Sequence, residues 1–151
     1  MNEPRAGTVL FSLPVRIYYE DTDAAGVVYY ANYFRFFERC RTEWMRSLGH
    51  DRLSDQEGLV FVVRAASAEY LQPGRLDDEI VITLEIGRLG RSSLTFCQRA
   101  LRDGETLANG SVEAVCVDVS TMKSTPIPGW LRQALENAPP ETRAGEARGP
   151  I

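Results

Sequence analysis

The chain is expected to fold as an α+β domain in which a curved antiparallel sheet of about five strands wraps one long central helix. Three observations lead there. Residues 27–48 carry one unbroken helical stripe, residues 59–119 divide into strand-like runs joined by short turns, and residues 8–20 read as a further strand. A sheet with one apolar face and a helix with one apolar stripe must bury those surfaces on each other.

The first element is TVLFSLPVRIYYE, residues 8–20. It is rich in β-branched and aromatic residues, and Pro14 places it at a sheet edge or at a bulge. From Val27 to Leu48 the apolar residues Tyr33, Phe36, Phe37, Cys40, Trp44, Met45 and Leu48 follow three-to-four spacing. Arg35, Glu38, Arg39, Arg41 and Glu43 occupy the other face, and Gly49 is a C-terminal stop. After the polar loop HDRLSDQEG come strands at 59–71 and 79–89, then SSLTFCQRAL and LANGSVEAVCVDV. Their connections are QPGRLDD, Gly90 and RDGET, and Asp103-Gly104 is the clearest hairpin signal. Short turns between successive strands imply an antiparallel meander of about four, with strand one making about five. Pro128 to Leu135 adds a short terminal helix. The expected organisation is a flexible 1–7, a single domain over 8–137, and a disordered tail over 138–151, where APPETRAGEARGPI is rich in Pro, Gly and charge.

Composition removes several functions. The 151 residues are 44% hydrophobic, enough for one core, and the formal charge of −4 is balanced with no basic stripe, so nucleic acid is not an expected partner. No apolar run approaches the roughly 20 residues of a membrane span, and MNEPRAG lacks a signal-peptide core, which points to the cytoplasm. Cys40, Cys97 and Cys116 are odd in number and scattered in apolar sequence, as buried reduced thiols would be. With His50 the sole histidine, no metal site is expected.

One stretch stands apart. YYEDTDAAGVVYYANYFRFFERCRTEW places Asp21 and Asp23 just before an Ala-Ala-Gly turn and the start of the helix. The pattern Asp-x-Asp-x-x-Gly-(Val/Ile)-Val-Tyr-x-x-Asn-Tyr resembles the hotdog-fold acyl-CoA thioesterases, and within them the YbgC-like enzymes that accompany the Tol-Pal envelope system. FVVRAASAEYLQPGRLDDEI and VCVDVSTMK follow in the same order, so the resemblance covers residues 10–123. It implies a hotdog fold and hydrolysis of an acyl-CoA thioester.

That reaction needs a nucleophile, or a base that activates water, and donors for the charge on the carbonyl oxygen. Free amides at a helix N-terminus supply such donors, here expected near Val28 to Tyr30. Strand geometry would point Asp21 and Asp23 to the same face, and pattern alone does not separate them. The resemblance selects the second aspartate, Asp23, as nucleophile or general base. Where YbgC-like enzymes carry histidine, this chain has Tyr30. The related 4-hydroxybenzoyl-CoA thioesterases have tyrosine there and use its backbone N–H, so the resemblance assigns Tyr30 the oxyanion role through its amide. The Tyr30 side chain itself reads equally as a core aromatic one turn into the helix. Tyr19 matches a tyrosine lining the family's site, and a strand aromatic packed on the sheet accounts for it equally well. Asn32 reads as a hydrogen-bonding or capping residue, and Arg64 as structural or interfacial.

GRLGRSSL, residues 87–94, resembles the segment that contacts coenzyme A, and Arg91, Ser92 and Ser93 are the substrate-binding candidates. Arginine forks suit phosphate oxygens, while a polar hairpin tip with solvated arginines is the alternative. The expected partner is an acyl-CoA substrate, with acyl carrier protein as a second possible carrier. Coenzyme A enters as part of the substrate, and no cofactor is implied. Family members pair their sheets edge to edge, which implies a homodimer or homotetramer. The alternative function is a non-catalytic acyl-thioester-binding protein tied to phospholipid synthesis or Tol-Pal.

Overall fold

Strand β1 (Phe11–Arg16) opens a computed structural model that describes residues 8–49, 58–137 and 142–143. The expected terminal disorder at 1–7 and 138–151, the loop 50–57 and His50 lie outside the described residues, apart from the pair 142–143. After β1 come a 3-10 turn at Tyr19–Asp21, helix α1 (Asn32–Ser47), and strands β2 (Leu59–Tyr70), β3 (Glu79–Leu89), β4 (Ser93–Arg102) and β5 (Glu105–Asp118). Helix α2 (Gly129–Asn137) and the two-residue strand β6 (Thr142–Arg143) complete the series.

The sheet order is β2-β5-β4-β3-β1-β6. All pairings are antiparallel except β6 on β1. The meander is therefore three strands long, from β3 to β5. Strand β2, expected beside β3, lies at the far edge against β5, and β1 takes the place beside β3. Asp103 and Gly104 both have positive φ, 52° and 82°, as the primed turn of a two-residue hairpin requires.

Helix α1 buries Tyr33, Phe36, Phe37, Cys40 and Trp44 against Ile80, Ile82 and Leu84 of β3 and Leu94 and Phe96 of β4. Each fully buried phenylalanine contributes about 1.5–3 kcal/mol. Gln98 on β4 is buried and joins the layers, donating to the Phe37 carbonyl at 3.0 Å and accepting from Arg41 at 3.0 Å. Gly110 on β5 lies directly under Phe37, and a Cβ there would stand 2.5 Å from the ring. All three cysteines are free thiols. Burial pushes the Cys40 thiol up to about 12, far from any nucleophilic range.

Strand β2 is different. Val60, Val62, Val63 and Tyr70 are exposed, and its outer edge pairs with no strand among the described residues. The ladder to β5 slips between Val63 and Ala65, leaving Arg64 at a bulge, where it bonds Glu113 at 2.9 Å.

Candidate active site

The segment between β1 and α1 folds back on itself before the helix begins. The 3-10 turn redirects the chain at Asp21, Thr22 bridges Val28, and Val27 bridges Arg75. Gly26 closes the loop at φ 81°, a region that favours glycine. Helix α1 consequently starts at Asn32, five residues later than the apolar pattern implies, because Val27 and Val28 are drawn into extended pairings.

The two aspartates do not share a face. Asp21 is 6% exposed, and its carboxylate accepts the Tyr18 backbone N–H and the Asn32 side-chain amide, each at 2.8 Å. Asp23 is exposed at the loop's turn. Its Oδ1 accepts the Ala25 N–H at 2.9 Å, and Oδ2 has no partner among the described residues. A buried carboxylate with both oxygens engaged is a structural brace, and an exposed one with a free oxygen is available for chemistry.

The backbone donors sort just as sharply. Val28 N–H donates to Gly74 and Tyr29 N–H to Asp21, so two of the three expected donors are spent inside the fold. Tyr30 N–H has no acceptor among the described residues, and neither has Ala31 N–H, which the sequence did not single out. The Tyr29 carbonyl accepts Asn32 N–H at 2.8 Å, and the Tyr30 carbonyl accepts Tyr33 N–H at 3.4 Å. In a trans peptide the N–H points opposite to the C=O. The Tyr30 and Ala31 N–H groups therefore project away from the first turn of α1, at the positive end of its dipole.

A cavity of about 320 Å³ opens here, lined by Glu20, Asp23, Tyr29, Asn32 and Arg35 among others. Tyr30 is not a core aromatic. It precedes the helix, is 60% exposed, and its ring meets that of Tyr29 at a tilt and that of Tyr70 edge-on, with centroids 5.0 and 5.9 Å away. Tyr19 is 81% exposed on the 3-10 turn and is not packed on the sheet.

Arg91, Ser92 and Ser93 lie elsewhere. Register Arg16↔Glu79 puts the Asp23 loop at the start of β3, whereas the Arg91 turn follows the end of β3. Eleven residues of strand separate the two, on the order of 30 Å. The turn is held from below: Ile127 N–H bonds the Arg91 carbonyl at 3.0 Å, Arg132 reaches the Gly90 carbonyl at 2.6 Å, and Cys116 N–H takes the Ser92 carbonyl at 2.7 Å. Arg88 donates to the Ser93 hydroxyl at 3.3 Å, and the Arg91 side chain remains exposed. Within one chain these residues do not meet Asp23. Among the described residues no group of three or more His, Cys, Asp or Glu side chains is placed to hold a metal ion.

A long helix wrapped by an antiparallel sheet is the architecture of hotdog-fold thioesterases. Residues 18–135 match the model of the Thioesterase-like superfamily, and the chain belongs to that family. It is 48% identical over 126 residues to the acyl-CoA thioester hydrolase YbgC of Escherichia coli, covering 80% of this chain and 92% of the relative. To the acyl-CoA thioesterase YbgC of Haemophilus influenzae it is 39% identical over 129 residues, 84% of this chain and 95% of the relative. The crystal structure of a hypothetical protein from Aquifex aeolicus superposes with TM-score 0.76 at 30% identity, covering 83% of this chain and 98% of that one. No helix among the described residues is long and apolar enough to cross a membrane.

Proposed function

We propose that the chain is an acyl-CoA thioesterase in which Asp23 acts on the thioester carbon while the Tyr30 and Ala31 N–H groups hold the oxygen. The observation that carries this reading is one loop, closed by the Thr22–Val28 bridge, that presents a carboxylate oxygen and two amides without partners among the described residues. Two routes use these parts. As nucleophile, the Asp23 carboxylate adds to the carbonyl carbon, the C–S bond breaks, the thiolate leaves, and water hydrolyses the acyl-aspartyl anhydride. As general base, Asp23 takes a proton from water, hydroxide adds to the carbon, and the collapsing tetrahedral intermediate expels the thiolate, which takes up the proton. In both, negative charge builds on the carbonyl oxygen before the C–S bond breaks, and preorganised N–H donors favour that state over the ground state. The Tyr30 hydroxyl has no part in either route.

The substrate's nucleotide belongs to the Arg91–Ser93 turn of a second protomer. The separation of that turn from Asp23 within one chain, together with the apolar-rich edge of β2 that pairs with no strand among the described residues, supports a two-fold dimer joined through β2. The same loop would accept acyl carrier protein thioesters, and the place of action is the cytoplasm.

The test is thiol release from short-chain, long-chain and aromatic acyl-CoAs, with wild type and Asp23→Asn side by side. Turnover that vanishes in the variant supports the reading. A folded wild-type protein that binds acyl-CoA without turnover would replace hydrolysis with a binding role.

A further inference from the structure

Tyr70 is the last residue of β2, it is 43% exposed, and no step above uses it. Its ring meets the Tyr30 ring edge-to-face at 5.9 Å and 81°, and meets the Tyr33 ring at 5.8 Å. Tyr33 in turn packs edge-to-face on Phe36 at 5.9 Å, and both are buried, at 3% and 0% exposure. The rings thus form a ladder from the core outward: Phe36, Tyr33, Tyr70, Tyr30.

The ladder matters because Tyr30 is otherwise loosely held. Among the described residues its N–H has no acceptor, its carbonyl accepts only the long 3.4 Å bond from Tyr33, and its ring touches two other rings. One of those, Tyr29, is its own chain neighbour in the same loop and is itself 48% exposed. Tyr70 stands on the sheet. It is fixed there by the register Tyr70↔Ala108 and by the next residue, Leu71, whose N–H bonds the Leu107 carbonyl at 2.8 Å. Of the two rings among the described residues that touch Tyr30, that of Tyr70 is the one carried by the sheet.

We propose that Tyr70 is a positioning residue for the oxyanion site: its ring clamps Tyr30 to the end of β2 and so fixes the direction of the Tyr30 N–H. The inference rests on the thioesterase reading above and adds to it a residue from a different element. Tyr70 touches no reacting atom. It acts by reducing the freedom of the peptide that donates. An oxyanion donor works only when it is aimed at the place where charge develops, and a misplacement of about 1 Å costs on the order of a hundredfold in rate. Ring identity carries the effect, because the positive edge of one ring meets the negative face of the other. The hydroxyl is dispensable.

The experiment compares wild type, Tyr70→Phe, Tyr70→Leu and Tyr70→Ala by kcat and KM on an acyl-CoA that the wild type hydrolyses, with the Tyr30 amide resonance followed by NMR in each. The expected result is a kcat lowered about tenfold or more in Tyr70→Ala, KM unchanged within about twofold, wild-type kcat in Tyr70→Phe, and a shifted or broadened Tyr30 amide in Tyr70→Ala alone of those two. Tyr70→Leu, which keeps apolar bulk without the ring, is expected to follow Tyr70→Ala, and stands in for it should the alanine variant not fold. A change in KM with kcat intact would overturn the proposal, since the ring would then only line the acyl path. Equal losses in Tyr70→Phe and Tyr70→Ala would also overturn it. The amide measurement needs no turnover: an unmoved Tyr30 amide in folded Tyr70→Ala or Tyr70→Leu overturns the clamp even if the thioesterase reading itself fails.

Discussion

The buried carboxylate of Asp21 accepts a 2.8 Å hydrogen bond from the side-chain amide of Asn32, tying the 3-10 turn to the first residue of α1. This bond and the Tyr29 N–H on the Asp21 carbonyl brace both ends of the segment that carries Asp23 and Tyr30. Asn32→Ala leaves one oxygen of a buried carboxylate without its donor, which costs about 1–3 kcal/mol. At about 2–4 °C per kcal/mol for a domain this size, thermal unfolding is expected to drop by several degrees, with activity falling alongside. An unchanged melting temperature would show that the bond is unimportant.

Asp23→Asn should separate chemistry from stability. The asparagine oxygen can still accept the Ala25 N–H, and the side chain is exposed, so the unfolding free energy should stay within about 0.5 kcal/mol of wild type. A positioned acid or base contributes about 10²–10⁴ in rate, and kcat should fall by at least the lower figure. Retention of most activity would remove Asp23 from the mechanism.

Arg91→Ala addresses the split site. If the Arg91 turn of a second protomer holds the nucleotide, KM for acyl-CoA rises about tenfold, the effect of losing one charge-assisted contact of about 1.4 kcal/mol. KM for the matching acyl-pantetheine, which lacks the nucleotide, should not move. Equal effects on both substrates would contradict the assignment.

Asp78 gives an acid limb to stability. Burial works against its ionised form, but the Arg75 N–H and the Arg102 guanidinium, at 2.9 and 2.6 Å, hold its carboxyl below the usual range. A folded pKa below the unfolded one means that this stabilisation is present above about pH 4 and is lost as pH falls through the folded value. Melting temperatures between pH 5 and 2.5 should therefore fall more steeply in wild type than in Arg102→Gln. Parallel curves would show that the pair makes no contribution.

How far these features could be read beforehand depends on whether the cause is local. The alternation of Ile80, Ile82, Leu84 and Ile86 and the stripe from Tyr33 to Trp44 mark β3 and α1 because each residue's burial repeats with the period of its own backbone. Asp103-Gly104 names its turn by the φ values it tolerates. The start of α1 departs from the apolar pattern because its cause is tertiary: the Gly74 and Arg75 backbones recruit Val27 and Val28, and nothing near those valines announces it. The same displacement moved Tyr30 from the core to the surface. The divergence of Asp21 from Asp23 depends on a three-residue 3-10 turn, too short to leave a period, and a free N–H such as Ala31's has no side-chain signature at all. Strand order escaped for a similar reason, since short connections suggest neighbours and β2 instead pairs with the last long strand.

Gly110 has a reach beyond its own strand. With Phe37 resting almost on the backbone of β5, this one position gauges the gap between helix and sheet, and any side chain there acts as a shim. The shim would tilt α1 as a rigid rod and carry Asn32, five residues upstream, out of line with Asp21. A site at one end of the domain thus depends on the thinness of a strand that contributes nothing to its chemistry. Drift at position 110 would be felt first as lost alignment of the loop, before any loss of the fold.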